Sequence, residues 1–145
     1  MGQTKPIRTG ARILVVEDEA LISELIADIL DEQGFDVLIV SNAADALSHI
    51  ASGVQIDALF TDVNLPGDMD GVALANRVRF LRPDIPIVYT SGQWHPTERE
   101  RLVSRSVFLA KPYDPYDAGT LLMRLVSATR TVTRSRRILV QPART

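Results

Sequence analysis

Five short apolar runs punctuate the chain, at 12–16, 35–40, 57–61, 87–90 and 107–110. The first, Arg12-Ile13-Leu14-Val15-Val16, is β-branched and unbroken by polar positions, which is how a strand buried on both faces reads. Between the runs the apolar positions change to helical spacing. Leu21, Ile22, Leu25, Ile26, Ile29 and Leu30 mark a first helix, which Gly34 stops. Asn42 caps a second helix to about Ser52, with Ala43, Ala46, Leu47 and Ile50 inward. Gly71 opens a third to about Leu81, packed on Val72, Ala75 and Val78. Residues 97–104 make a weak fourth helix whose only strong apolar positions are Leu102 and Val103. Asp114-Pro115 starts a last helix with Leu121, Leu122, Leu125 and Val126 on its face. Strands alternating with helices predict an α/β fold, a five-stranded parallel sheet covered by helices on both faces.

Composition narrows the class. The chain has 145 residues, 46% of them apolar, enough for one domain with a core. The pattern divides it into an N-terminal tail at 1–11, a domain at 12–129 and a C-terminal tail at 130–145. That last tail holds Arg130, Arg134, Arg136, Arg137 and Arg144 and no acid, so it carries +5 and the remainder −7 of the net −2. An acidic body with a short basic tail does not read as a DNA-binding domain. The tail is expected to stay out of the core and to contribute to partner choice, with 138–140 able to dock on a neighbouring molecule as an added strand. Cysteine is absent, which excludes disulfides, thiolate metal sites and a cysteine nucleophile. No apolar run nears the ~20 residues of a membrane span. Residues 1–11 lack the apolar core of a signal peptide, so the expected location is cytoplasmic.

The chemistry gathers at the strand ends. The first strand ends in Glu17 and Asp18, the third in Asp62, the fourth in Thr90 and Ser91, and the fifth in Lys111. In a doubly wound sheet of order 2-1-3-4-5, strands one and three are neighbours at the switch point, and ligands bind outside the carboxyl ends. Glu17, Asp18 and Asp62 would then surround one crevice. Three carboxylates repel one another and need a counter-charge, which Mg²⁺ supplies through one or two carboxylates and a phosphate oxygen. Lys111 can pair with Asp62 or with a phosphoryl oxygen, and a Ser91 hydroxyl can donate to the latter. A carboxylate nucleophile with this company describes phosphoryl transfer to aspartate. Glu19, Asp68 and Asp70 read as solvated loop residues or helix caps. His49 reads as a surface helix residue and His95 as a solvated loop residue. Trp94 either covers the sheet edge or belongs to a partner surface.

The ordered set Leu14-Val15-Val16-Glu17-Asp18-Glu19, Asp62 with Leu65-Pro66-Gly67 and Met69-Asp70-Gly71, Thr90-Ser91-Gly92 and Lys111-Pro112 resembles the response regulator receiver domains of bacterial two-component signalling, over about 12–129. The resemblance implies the flavodoxin-like fold of the chemotaxis regulators. It makes Asp62 the phosphoacceptor. Asp18 and Glu17, with Asp62 and the backbone carbonyl of Asn64, become the Mg²⁺ ligands. Lys111 takes the role of the family's lysine, on a cis Lys111–Pro112 bond. Ser91 is the switch hydroxyl, with Thr90 the alternative, and Phe108 the aromatic switch. It implies a stand-alone receiver, monomeric or weakly dimeric, not an enzyme beyond self-catalysed transfer and slow autodephosphorylation. A histidine kinase or histidine phosphotransfer protein would donate the phosphoryl group. A downstream protein would read the face made by the fourth helix, fifth strand and fifth helix. Two alternatives keep the same fold. One is an aspartyl-phosphate-forming phosphohydrolase, which would usually carry a second aspartate where Asn64 stands. The other is a receiver-like scaffold that is never phosphorylated, against which the complete acid, hydroxyl and lysine set argues.

Overall fold

The structure, a computed structural model, describes residues 7–92 and 102–140, with side chains as far as Thr131. Trp94, His95 and most of the expected helix at 97–104 lie outside the described residues, as do the side chains of Arg134, Arg136 and Arg137 and all of Arg144.

The elements are β1 (Arg12–Val16), α1 (Ala20–Glu32), β2 (Asp36–Val40), α2 (Ala43–Ala51), β3 (Ala58–Asp62), α3 (Gly71–Leu81), β4 (Ile87–Ser91), β5 (Ser106–Ala110) and α4 (Pro115–Val140). The strands form one parallel sheet of order β2-β1-β3-β4-β5. Its β3 and β4 are buried along their whole length, as unbroken apolar runs should be. On one face Leu14, Leu59, Ile87 and Tyr89 pack against Ala46 and Ile50 of α2 and Leu74 and Val78 of α3. On the other, Ile13, Val15, Phe60 and Val88 pack against Ile26 and Leu30 of α1 and Ala118, Leu122 and Val126 of α4. Each of the Val, Leu, Ile and Phe side chains among these contributes roughly 1.5–3 kcal/mol through burial.

Polar residues set the helix starts. Asn42 accepts from the Asp45 N–H at 2.8 Å and Asp70 accepts from the Ala73 N–H at 2.8 Å, so Asp70 is a helix cap. Asp114 accepts from the Tyr116 N–H at 2.9 Å ahead of α4.

Three features go beyond or against the expectations. Leu21 and Leu25 are 83% and 53% exposed. The buried stripe of α1 is Ser23, Ile26, Ile29 and Leu30. One residue is about 100° of helix, so Leu21 and Leu25 fall beside that stripe and face outward. Second, residues 102–104 are bend and turn, not helix. Leu102 and Val103 still pack on the α2–α3 side of the core. The described residues thus hold four helices. Third, α4 runs to Val140, so 138–140, which were expected to be able to dock as an added strand, are helical here. No Gly or Pro interrupts 120–140, and adding a turn to an existing helix needs no new nucleus.

Because every strand is parallel, all five carboxyl ends lie on one edge. The chain leaves β1 into α1 on one face and leaves β3 into α3 on the other. These two connections part in opposite directions and open a crevice between neighbouring strands.

Candidate functional site

Backbone bonds past the strand ends fix the crevice. The Glu17 N–H donates to the Val40 carbonyl at 3.1 Å, that of Val63 to Thr90 at 2.9 Å and that of Lys111 to Ser91 at 3.0 Å. The tips of β1, β3 and β5 are therefore held by their neighbours before any side chain is considered.

Asp62 ends β3 and is 7% exposed, while Glu17, just past β1, is 5% exposed. The Lys111 ammonium donates to Asp62 Oδ2 at 2.8 Å and to Glu17 Oε1 at 3.4 Å. The other oxygen of Asp62, Oδ1, accepts from the Asn64 N–H at 3.0 Å. Asp18 is exposed beside them, and one carboxylate oxygen each of Glu17, Asp18 and Asp62 lie within 4.8 Å of one another. The sequence-predicted acids and lysine thus meet in one place. Lys111–Pro112 is a cis peptide.

The electrostatics match that crowding. Burial, the largest influence, lifts the Glu17 carboxyl to about 7; Lys111 opposes the rise and Asp62 adds to it. Glu17 Oε2 is buried with no hydrogen-bond partner among the described residues. A buried unpaired carboxylate oxygen is costly, and a hard cation bound by oxygen ligands satisfies it. The donor set therefore fits a Mg²⁺ ion. Burial also pushes the Lys111 ammonium down, but the hydrogen bond and charge of Asp62, together with Glu17, outweigh it and raise its pKa.

The two candidate hydroxyls are both buried. Thr90 lies opposite Asp62 in the ladder, and Ser91 lies one residue nearer the carboxyl edge, opposite Ala110. Strand alternation turns them to opposite faces. Phe108 is half-buried, pairs with Tyr89 across β4 and β5, and packs on the α2–α3 side of the core. His49 sits half-buried in the last turn of α2; it lines a cavity that Glu17 and Asp18 also line but is not one of the three clustered acids.

Two participants had no site role assigned from sequence: Gly71, read there as a helix start, and Tyr113. Gly71 begins α3 so close to the Asp62 tip that a Cβ there would lie 2.0 Å from the Asp62 carbonyl oxygen. Its N–H donates to Val63 at 2.8 Å. A glycine at the first position of a helix, where one is not needed for a turn, was the available signal. Tyr113 packs edge-on against Phe60, ring centroids 5.9 Å apart. Burial, then the charges of Glu17 and Asp62, raise its phenol well above the ordinary value. An aromatic two residues after Lys111 carried no distinctive pattern.

A family model described as the response regulator receiver domain matches residues 13–122. Among curated relatives, the "Uncharacterized transcriptional regulatory protein YbdJ" of Bacillus subtilis (strain 168) is 32% identical over 117 residues, covering 80% of this chain and 49% of the relative. "DNA-binding transcriptional regulator NtrC" of Rhizobium meliloti (strain 1021) is 41% identical over 85 residues, covering 59% and 17%. The chain thus spans half or less of the curated relatives it matches. Among solved structures, a response regulator receiver protein from Sinorhizobium medicae WSM419 aligns with a TM-score of 0.79 and 31% identity, covering 83% of this chain and 98% of that one.

Proposed function

The chain belongs to the response regulator receiver domain family, and on that premise we propose that it is a phosphorylation-dependent switch in which Asp62 accepts a phosphoryl group from a histidine kinase or a histidine phosphotransfer protein. The observation that carries this reading is the buried Asp62 carboxylate, 2.8 Å from Lys111 and within reach of two further carboxylates.

In the transfer, an Asp62 oxygen forms a bond to phosphorus as the bond to the donor nitrogen breaks, and the leaving imidazole keeps the electron pair. Lys111, already paired with Asp62 Oδ2, then faces the added phosphoryl oxygens and balances their charge. Glu17, Asp18, Asp62 and the carbonyl of Asn64 would hold Mg²⁺, which when bound neutralises the charge on the transferring group. The Ser91 hydroxyl donates to a phosphoryl oxygen, and its shift toward the site leaves space into which Phe108 turns. The face built on β5 and α4 changes with it and meets the downstream partner. This is a local charge event acting on a two-state element. Asn64, where phosphohydrolases of this fold carry a second aspartate, supports a switch over an enzyme that turns over substrate. The donor class puts the chain in the cytoplasm; among the described residues no helix is long and apolar enough to cross a membrane.

Labelling with radioactive acetyl phosphate tests the assignment. The wild-type chain should take up acid-stable, base-labile label in the presence of Mg²⁺, and Asp62→Asn should take up none while keeping its circular dichroism. Ser91→Ala should weaken the response to beryllofluoride more than Thr90→Ala does. Label retained on Asp62→Asn would remove Asp62 from its role, and the reverse order of the hydroxyl variants would move the switch to Thr90.

A further inference from the structure

Residues 102–105 lead into β5, and side chains from two other elements hold them. Tyr89 lies in the middle of β4, fully buried. The Val103 N–H donates to its hydroxyl at 3.2 Å. The Ser106 hydroxyl donates to the Val103 carbonyl at 2.6 Å. From α3, Arg79 donates to the carbonyls of Ser104 at 2.9 Å and Arg105 at 3.2 Å. Its other arm donates to the carbonyls of Ile85 at 2.5 Å and Pro83 at 3.1 Å. Arg105, at a left-handed φ of 55°, donates in turn to Pro83 at 2.7 Å.

The two anchors join different things. Arg79 and Arg105 tie the turn to the loop that precedes β4, at the edge of the sheet away from the acids. Tyr89 ties it to the strand that carries Ser91 two residues later, beside Phe108 in the ladder. The Tyr89 phenol is buried and the Val103 N–H part-buried, so parting them without a replacement partner costs free energy. The Tyr89–Val103 bond therefore favours the arrangement in which Val103 rests on β4.

We infer that Tyr89 is a positioning residue of the switch: its hydrogen bond to the Val103 N–H selects the resting arrangement of the turn before β5, and so sets how readily the Asp62 site adopts its phosphorylated state. This rests on the receiver reading given above. An interaction made in one state only lowers the affinity of any ligand that favours the other state, by the same factor. Without it, the phosphorylated-like state becomes easier to reach. A tyrosine that merely filled the core would affect stability and leave that balance alone.

The test uses the full chain, with Mg²⁺ and beryllofluoride as the phosphoryl mimic. Tyr89→Phe keeps the ring and removes the hydroxyl. It should bind beryllofluoride about 2- to 10-fold more tightly, the range expected for one net hydrogen bond. Its Val103 amide should exchange faster with solvent than in the wild type. Saturating wild-type protein with beryllofluoride should speed exchange at the same amide. Ser106→Ala should act in the same direction with smaller effect, and carries the test if Tyr89→Phe does not fold. Unchanged or weaker beryllofluoride affinity despite faster Val103 exchange overturns the inference, as does Val103 protection that survives saturation. A wild-type chain that binds no beryllofluoride overturns the reading of the site itself, and the inference with it.

Discussion

Glu17 is the residue at which the architecture is under most electrostatic load. It is buried beside Asp62, and its carboxyl is lifted to about 7 from an ordinary 4.5. Between those two values the folded chain keeps a proton that the unfolded chain has lost. This group therefore makes stability fall as pH rises through that window, with no contribution below it and a constant penalty above it. Thermal melts without metal, from about pH 5 to about pH 8, should show a larger downward slope for the wild type than for Glu17→Gln. Mg²⁺ competes with the same proton, so its affinity should climb with pH through about 7; an affinity flat across that range would contradict the raised carboxyl. Gly71 gives a second residue-scale prediction. Gly71→Ala drives a Cβ into the Asp62 backbone, so chemical denaturation should show a loss of about 1–3 kcal/mol or more, together with slower acetyl phosphate labelling. The acids and the lysine were legible in the sequence because each ends an apolar run. Gly71 was not, because its constraint is a contact between two backbones and neither leaves a side-chain pattern.

At the scale of elements, amphipathic spacing located the helices but not the width of their buried faces. Of the six apolar positions that mark α1, Ile26, Ile29 and Leu30 are buried, while Leu21 and Leu25 fall outside the buried stripe. In α4 the apolar face again gave the packed part, since Ala118, Leu122 and Val126 are its buried positions against α1 and the sheet. Where the helix stops was illegible, because no breaker marks an end before Pro142. Beyond Val126 the described contacts are thin. Arg130 donates to the Thr9 carbonyl at 3.0 Å and sits 3.9 Å from Asp57, both half-exposed or exposed arrangements worth roughly 0.2–1 kcal/mol. Truncation after Thr129 should therefore lower the melting temperature by only a few degrees and leave Mg²⁺ binding intact. A large fall would show that the removed segment packs on the body.

Across the whole molecule, the sheet order and the meeting of three acids with Lys111 follow from one regularity, alternating strands and helices, which is why both were readable before any coordinates. Contacts between side chains of separate elements, such as Tyr89 with Val103, have no such periodic source. The length of α4 has a mechanical consequence of its own. The ten residues from Thr131 to Val140 extend the helix by about 15 Å at about 1.5 Å per residue. A hydrogen-bonded helix is stiff over that distance, so this stretch behaves as a lever arm whose fulcrum is the packing of α4 on α1. A tilt of about 10° at the fulcrum, small enough for the core to absorb, sweeps the far end through roughly 2 Å. Rotations too slight to disturb the sheet are thus magnified into travel at Val140.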